Sequence, residues 1–254
     1  MDTAKVLRMT FTAAERLAND RTSELWGEHR SRYRFAARFA AGQRILDVAS
    51  GAGFGLQMLR EASGCPIGLD YDADALREVR RVEANAQLVH ADATRMPITS
   101  ASIDLVVSFE TLEHVPDARA MIKEIRRVLK PGGRLVLSTP NRAFGPPERH
   151  AGNPFHIKEF TAAELHALLS EAFKDVKLYG QVPDEKYRYV PFLMIEPHRE
   201  PAAIVWKLLV RLPYALKNRL AMALGGRPFY PREEDYCFDP DGAEAAHALV
   251  AVAR

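Results

Sequence analysis

Residues 43–55 read QRILDVASGAGFG, a short apolar run that leads directly into three glycines spaced two apart. The run 45–48 is rich in β-forming residues, which predicts a strand. Gly51, Gly53 and Gly55 permit a tight turn and let a ligand approach the backbone where a Cβ atom would collide. A strand followed by such a loop predicts a nucleotide-binding site.

The glycine spacing distinguishes two kinds of nucleotide-binding loop. Dinucleotide-binding proteins carry G-x-G-x-x-G, which would require a glycine at position 56, where this chain has Leu56. The spacing here is G-x-G-x-G, and Asp47 stands four residues before the first glycine. This pattern resembles motif I of the class I S-adenosylmethionine-dependent methyltransferases. The resemblance implies S-adenosylmethionine as cofactor and S-adenosylhomocysteine as product, and Leu56 disfavours an NAD-dependent enzyme.

Four further landmarks of that family follow in order. Residues 66–70, PIGLD, predict a second strand that ends in Asp70, nineteen residues after Gly51. The resemblance implies that Asp70 accepts hydrogen bonds from the ribose hydroxyls, and that Asp92 and Ala93 hold the adenine amino group. The other landmarks are a third strand at 88–91, a fourth at 103–109, and residues 129–141, which read as a helix end, a Pro-Gly-Gly turn and a fifth strand.

The N-terminal segment 27–39, GEHRSRYRFAARF, has an apolar helical face opposite several arginines. Solvent exposure explains most of these arginines, but the E-H-x-x-R-Y pattern of Glu28, His29, Arg32 and Tyr33 resembles glycan-associated members of the family. The resemblance implies a helix that closes over the cofactor, with Arg32 paired to its methionine carboxylate. The predicted cofactor-binding residues are Arg32, Tyr33, Asp47, Ala49, Gly51, Gly53, Asp70, Tyr71, Asp92, Ala93, Phe109 and Glu110.

Length and composition agree with a globular enzyme. The chain has 254 residues, of which 47% are hydrophobic, enough for one large domain with a substantial core. No apolar run reaches the roughly 18 residues of a membrane span, and the N-terminus lacks the apolar core of a signal peptide, so we expect a cytoplasmic protein. Cys65 and Cys237 are predicted to be free thiols. Basic residues without interleaved aromatics predict no nucleic-acid binding.

The alternation of strands and helices predicts an α/β fold, a Rossmann-like doubly wound sheet of seven strands whose last strand is antiparallel. Thr161 and Glu164 form a predicted capping box at one helix start. Helices are predicted at 53–63, 72–83, 117–130 and 161–172, a sixth strand at 176–179, and the seventh in the final segment HALVAVAR. The predicted divisions are an N-terminal helical cap at 1–40, a cofactor-binding core at 41–182, a helical insertion at 183–243 and the final strand at 244–254.

The predicted insertion is basic. Residues 201–232 contain six basic residues and no acid, beside apolar residues at helical spacing. One interpretation is a basic solvent face on a helix whose apolar side packs on the core. The others are a lid for an anionic acceptor, such as a diphosphate-linked sugar, or contact with a membrane that carries a lipid-linked acceptor. The basic residues are Lys207, Arg211, Lys217, Arg219, Arg227 and Arg232, and the apolar side includes Leu216, Leu220 and Met222.

Candidate catalytic residues follow the fourth predicted strand. Glu110, Glu113 and His114 are spaced i, i+3 and i+4, so they would share one face of a helix. His114 is the predicted general base for a hydroxyl acceptor, and Glu113 is grouped with it as catalytic. The E-x-x-E-H spacing is similar to a segment of ubiquinone-pathway O-methyltransferases that holds a divalent cation, so the three residues form a candidate metal site. A helix-start role for the acids is the alternative.

A third candidate catalytic residue, His156, lies in residues 153–160, which read NPFHIKEF. This segment resembles the N-P-[FY]-H-x-x-E-[FY] segment of methyltransferases found with polysaccharide and glycosyltransferase systems, which continue, as here, to a Gly-Gln pair at Gly180 and Gln181. The resemblance implies that His156 lies at the carboxyl edge of the sheet, where such folds bind substrates. A histidine that only caps the following helix is the alternative.

These features predict an enzyme that transfers a methyl group from S-adenosylmethionine to a hydroxyl or amine of a small molecule, with a sugar or glycosylated metabolite preferred. Two alternatives stay open. The acceptor is a lipid or quinone at a membrane surface, or the protein binds the cofactor without transferring methyl. The sequence leaves the methylated atom and the oligomeric state undetermined.

Overall fold

The computed structural model describes residues 25–63, 65–144, 155–184, 187 and 212–254. Most of the predicted cap and much of the predicted insertion lie outside these ranges, including Lys207 and Arg211. Asn153 and Pro154 of the NPFHIKEF segment also lie outside them.

A sheet of eight strands forms the centre of the described fold. The strands are β1 (Ile45–Val48), β2 (Ile67–Asp70), β3 (Gln87–His90), β4 (Ile103–Phe109), β5 (Leu129–Pro140), β6 (Val176–Pro183), β7 (Tyr236–Asp239) and β8 (Ala248–Ala253). Their order is β3-β2-β1-β4-β5-β8-β6-β7. The first five strands are parallel, whereas β8 runs antiparallel between β5 and β6. The predicted Rossmann-like doubly wound sheet with an antiparallel last strand is confirmed.

Helices cover both faces of the sheet because successive strand residues point to opposite sides. Ile45 packs in a cluster with residues of the first two helices, whereas Leu46 packs with residues of the fourth and fifth. The fifth helix begins at the predicted Thr161–Glu164 capping box, which is confirmed. The α-helices of the described residues are α1 (Trp26–Ala37), α2 (Phe54–Ser63), α3 (Ala73–Val82), α4 (Ala118–Val128), α5 (Ala162–Ser170) and α6 (Tyr214–Gly225).

The sheet has one strand more than the sequence predicts. The extra strand, β7, pairs antiparallel with β6 and lies within the predicted helical insertion. Tyr236 is buried and Cys237 exposed, and Phe238 packs on Phe35 of α1 with ring centroids 4.4 Å apart. The prediction of a helical insertion up to residue 243 is therefore wrong at β7. A four-residue edge strand carries too short a pattern to be recognised in sequence.

Of two smaller predictions, the structure contradicts one and confirms the other. The predicted Pro-Gly-Gly turn instead lies within β5, where the register with β4 shifts between Ile103 and Leu105. Cys65 and Cys237 are free thiols, as predicted, and both are exposed. Among the residues that the structure describes, no helix is long and apolar enough to cross a bilayer.

Helix α6 has the opposite orientation to the one that its sequence predicts. Lys217, one of the six basic residues, is buried, whereas Leu216, Leu220 and Met222 of the predicted packed side are exposed. The interpretation of a basic solvent face with its apolar side packed on the core is therefore wrong for these four residues. Arg219 is exposed, as predicted.

Candidate active site

The parallel strands bring their following loops to one edge of the sheet. Ala49 follows β1, Tyr71 follows β2, and Glu110 follows β4. Ala49 and Glu110 both have positive φ angles, 64° and 49°. Such strained conformations in residues other than glycine cost about 1–3 kcal/mol each and concentrate at functional sites. Because two residues with such conformations follow the neighbouring strands β1 and β4, this edge of the sheet is the candidate site.

The glycine-rich loop and the acid at the end of β2 form one unit. Gly51 N–H donates a hydrogen bond to Asp70 Oδ2 over 2.8 Å, and Asp72 N–H donates to Asp70 Oδ1 over 2.8 Å. Gly51 has a φ of +53°, and a Cβ built on it would meet no atom within 4 Å. The loop therefore borders open space beside a carboxylate that two amides hold in place. A carboxylate oxygen accepts more than one hydrogen bond, so this geometry fits the ribose of the predicted cofactor.

The third glycine of the loop, Gly55, faces a side chain of α1, whereas the sequence predicts that it lets a ligand approach. A Cβ on Gly55 would lie 2.0 Å from the ring of Tyr33, so Gly55 makes room for an α1 side chain. The Tyr33 hydroxyl in turn donates to Asp47 Oδ2 over 3.1 Å. Burial raises the pKa of Asp47 to about 8, with Asp70 also raising it. Tyr33 thus fixes the motif's acid inside the protein.

The raised pKa of Asp47 makes stability depend on pH. Because the pKa rises from 3.8 to about 8 on folding, the folded state binds more protons within that window, and stability falls as the pH rises through it. Asp47→Asn removes the titration while keeping an acceptor for Tyr33. Its thermal stability relative to the wild type should therefore increase between about pH 5 and 8. Exposed Asp74→Asn is the control, and an equal pH trend in both variants would contradict the assignment.

The predicted adenine-side residues lie at the same edge. Asp92 follows β3 and is exposed, and its Oδ1 accepts hydrogen bonds from the amide and hydroxyl of Thr94, both over 2.7 Å. The Tyr71 ring is 58% exposed, and His90 Nε2 lies 2.9 Å from its backbone oxygen. Ala93 is half-buried. The fold brings these residues to one edge with Asp70, and their contact with adenine stays a prediction.

Arg32 lies at the centre of a buried polar network between α1 and the sheet. Its side chain is completely buried, Nη2 pairs with Glu28, and Nε donates to Gln181 Oε1 over 2.6 Å. Its Nη1 lies 3.2 Å from Glu110 Oε1, and His247 Nδ1 lies 3.4 Å from Glu28 Oε1. Burial opposes ionisation of Glu28, but Arg32 and His247 lower its pKa below the usual range. The carboxylates of Glu28 and Glu110 thus already contact Arg32. The pairing of Arg32 with the methionine carboxylate of the cofactor stays a prediction.

The sequence analysis assigned no role of their own to three residues of this network, Glu28, Gln181 and His247. The i, i+4 spacing of Glu28 and Arg32 is a local signal that could have identified their ion pair. Gln181 and His247 have no such signal, because they reach α1 only through the arrangement of β6 and β8. Gln181 also donates to Glu28 O over 2.9 Å and to Ser31 Oγ over 2.7 Å, so it ties α1 to the sheet.

Glu110 turns towards this network. Its Oε1 accepts a hydrogen bond from Ser138 Oγ over 2.7 Å and contacts Arg32. Phe109, which precedes it, is buried and packs edge-on against Tyr33 with centroids 4.8 Å apart. Glu110 therefore belongs to the α1 side of the site, whereas the sequence grouped it with Glu113 and His114.

Glu113 and His114 form a separate cluster with His156. Potential ligand atoms of the three residues lie within 4.8 Å of one another. Glu113 is completely buried, and its Oε2 accepts from Thr139 Oγ1 over 2.9 Å. Its Oε1 has no hydrogen-bond partner among the described residues and lies 3.9 Å from His114 Nε2. Burial, followed by Glu110, raises the pKa of Glu113 well above the usual range.

Both histidines of this cluster are oriented through Nδ1. His114 Nδ1 lies 3.0 Å from the Phe155 carbonyl oxygen, and His156 Nδ1 lies 2.5 Å from Glu159 Oε1. A carbonyl or carboxylate oxygen only accepts, so each Nδ1 carries a proton and each neutral ring has its lone pair on Nε2. The rings pack edge-on with centroids 4.9 Å apart. This arrangement can accept a proton or hold a cation, and it replaces Glu110 of the predicted metal set with His156.

The sheet order, the antiparallel β8 and the loop–acid unit define a Rossmann-like nucleotide-binding protein. Residues 46–137 match the family model of a methyltransferase domain. A relative from Mycolicibacterium smegmatis, named "Probable S-adenosylmethionine-dependent methyltransferase", is 37% identical over 150 residues, 59% of this chain and 58% of the relative. Residues 46–137 therefore belong to the class I S-adenosylmethionine-dependent methyltransferase family.

Two further similarities extend the comparison. A ubiquinone biosynthesis O-methyltransferase from Idiomarina loihiensis is 35% identical over 106 residues, 40% of this chain and 44% of that protein. The crystal structure of a SAM dependent methyltransferase from Archaeoglobus fulgidus superposes with a TM-score of 0.58 at 18% identity, covering 99% of both chains. The structural similarity shows the fold alone. The chain spans 58% and 44% of the lengths of the two curated relatives.

Proposed function

We propose that this protein transfers the methyl group of S-adenosylmethionine to a hydroxyl group of a small molecule. The observation that carries the proposal is the cluster of Glu113, His114 and His156 at the carboxyl edge of the sheet. A hydroxyl must lose its proton to become an effective nucleophile, whereas a free amine already has a lone pair. Two imidazoles with lone pairs on Nε2 beside a buried carboxyl group suit a hydroxyl acceptor.

The chemistry requires mainly positioning and a proton acceptor. Bound S-adenosylmethionine would supply a methyl group on a positively charged sulfur. His114 Nε2 would accept the proton of the acceptor hydroxyl as the methyl group moves from sulfur to oxygen. Glu113 fixes the cluster, because its backbone oxygen accepts hydrogen bonds from the amides of Ile157 and Lys158 over 2.8 and 3.2 Å. The segment carrying His156 is thereby tied to the loop after β4.

A divalent cation is the second way in which the cluster could activate a hydroxyl. Buried Glu113 Oε1, which has no hydrogen-bond partner in the part of the chain that the structure describes, forms with the two histidines a set of one carboxylate and two imidazoles. Imidazole ligands favour zinc, iron or nickel over magnesium, which prefers oxygen ligands. A cation held here would lower the pKa of a bound hydroxyl. Glu113, His114 and His156 are the residues that would hold it.

Metal binding can be measured without turnover. After treatment with a chelator, the protein should bind about one Zn²⁺ in calorimetry and bind Mg²⁺ at least about tenfold more weakly. His156→Ala should abolish this binding, and exposed His166→Ala should preserve it. Three results together would show that the cluster acts as a proton acceptor only: the chelator removes no metal, the treated protein binds no cation, and its activity is unchanged.

A sugar or glycosylated metabolite is the proposed acceptor. The similarity of the His156 segment to methyltransferases of polysaccharide systems supports it. A quinol is the second candidate, favoured by the relative named as a ubiquinone biosynthesis O-methyltransferase. Radiolabelled S-adenosylmethionine, incubated with the protein and separate panels of nucleotide sugars, glycosides, quinols and amines, tests both. Methylation confined to amines would overturn the proposal for a hydroxyl acceptor.

A further inference from the structure

Helix α6 exposes its apolar side chains to solvent. Leu216 is 44% exposed, Leu220 38% and Met222 46%. Leu216 and Leu220 are one helical turn apart, so they share a face, and exposed Arg219 lies beside them. Isolated exposed apolar residues need no explanation, but several on one helix usually mark a surface that another structure covers.

Specific contacts hold α6 in this orientation. Lys217 Nζ donates to the Tyr230 hydroxyl over 3.1 Å and lies 5.1 and 5.2 Å from the ring centroids of Phe229 and Tyr230. Asn218 Oδ1 accepts from Phe229 N–H over 3.1 Å, and Tyr214 stacks on Tyr230 with centroids 5.7 Å apart. Turning the helix to bury its leucines would break these contacts and leave polar atoms unpaired, which is costly. The polar side of α6 is therefore its inner side.

The charge around α6 indicates what covers its outer face. Residues 201–232 contain six basic residues and no acid, and one of them, Arg219, is exposed on the outer face of α6. Apolar side chains beside arginine on the outer face of a helix suit the boundary between lipid headgroups and acyl chains. Anionic headgroups would complement the positive charge of Arg219.

We propose that α6 docks the protein peripherally on an anionic lipid surface, with Leu216 and Leu220 entering the headgroup boundary and Arg219 contacting phosphates. This inference does not depend on which molecule accepts the methyl group. It assigns α6 a role in attachment and leaves the carboxyl edge of the sheet as the reaction site.

Vesicle flotation tests the proposal. The wild-type protein should float with vesicles of phosphatidylcholine and phosphatidylglycerol, and less with phosphatidylcholine alone or at high salt. The double variant Leu216→Ser and Leu220→Ser should partition at least about tenfold less, because insertion strength scales with buried apolar area. Val82→Ser is the matched control, since Val82 is 85% exposed on α3, away from the basic segment.

Two measurements distinguish lipid binding from a folding defect and from dimerisation. The double variant should keep the wild-type melting temperature and affinity for S-adenosylhomocysteine, because it changes only exposed side chains. Failure of the wild-type protein to float, or equal flotation of the double variant, would overturn the proposal. Light scattering that reveals a wild-type dimer dissociated by the two serines would also overturn it, because a second copy would then cover the face.

Discussion

Alanine at His114 should lower kcat for a hydroxyl acceptor at least about a hundredfold, because a positioned general base contributes about 10²–10⁴-fold. The Phe155 carbonyl fixes His114 Nδ1–H and directs the lone pair to Nε2, the orientation that a proton acceptor requires. KM for S-adenosylmethionine should stay near the wild-type value, because His114 lies in a cluster separate from the glycine-rich loop. Steady-state kinetics with the acceptor identified by the radiolabel screen gives both quantities.

Substitution of His156 tests whether the two histidines of the cluster act together. If the cluster acts as a unit, His156→Ala should also lower kcat, and the double variant should be little worse than His114→Ala alone. His166→Ala is the control, since His166 is exposed on α5. A fully active His114→Ala variant with an intact fold would remove the base from the proposed mechanism and leave positioning as the source of catalysis.

Asp70→Ala should weaken binding of S-adenosylhomocysteine at least about tenfold. Hydrogen bonds to a charged group contribute about 1.5–3 kcal/mol, and 1.4 kcal/mol corresponds to a factor of ten. The amides of Gly51 and Asp72 already orient the two carboxylate oxygens, so the variant loses a preorganised acceptor as well as a charge. Isothermal titration calorimetry measures the effect directly.

The control for this measurement is Asp74→Ala. Asp74 is an exposed acid on α3 that pairs with Arg77, and its removal should leave the affinity unchanged. Because loss of Asp70 also removes two backbone contacts, thermal unfolding should establish that the variant is folded at the temperature of the titration. Wild-type affinity in a folded Asp70→Ala variant would refute the ribose-binding role, and binding of NAD in its place would contradict the cofactor assignment.

Local sequence was sufficient to determine the central fold. β1 and its loop, the acid at the end of β2 and the capping box of α5 all depend on residues within a few positions of one another. Such patterns encode backbone conformation directly, because propensity, glycine and capping act locally. The order of these elements then predicted the parallel sheet and the antiparallel last strand.

Only the tertiary structure decided which side chains meet. Glu110 and Glu113 are three residues apart, yet the positive φ of Glu110 directs it towards Arg32, while Glu113 joins His156 from a distant segment. Lys217 is buried because aromatic rings further along the chain hold it. Helical spacing alone predicts a shared face, but the backbone at one residue and the partners supplied by other elements determine the actual contacts. The sequence by itself therefore determined the parallel part of the sheet and the glycine-rich loop, whereas long-range packing determined β7, the cluster of Glu113, His114 and His156, and the outward face of α6.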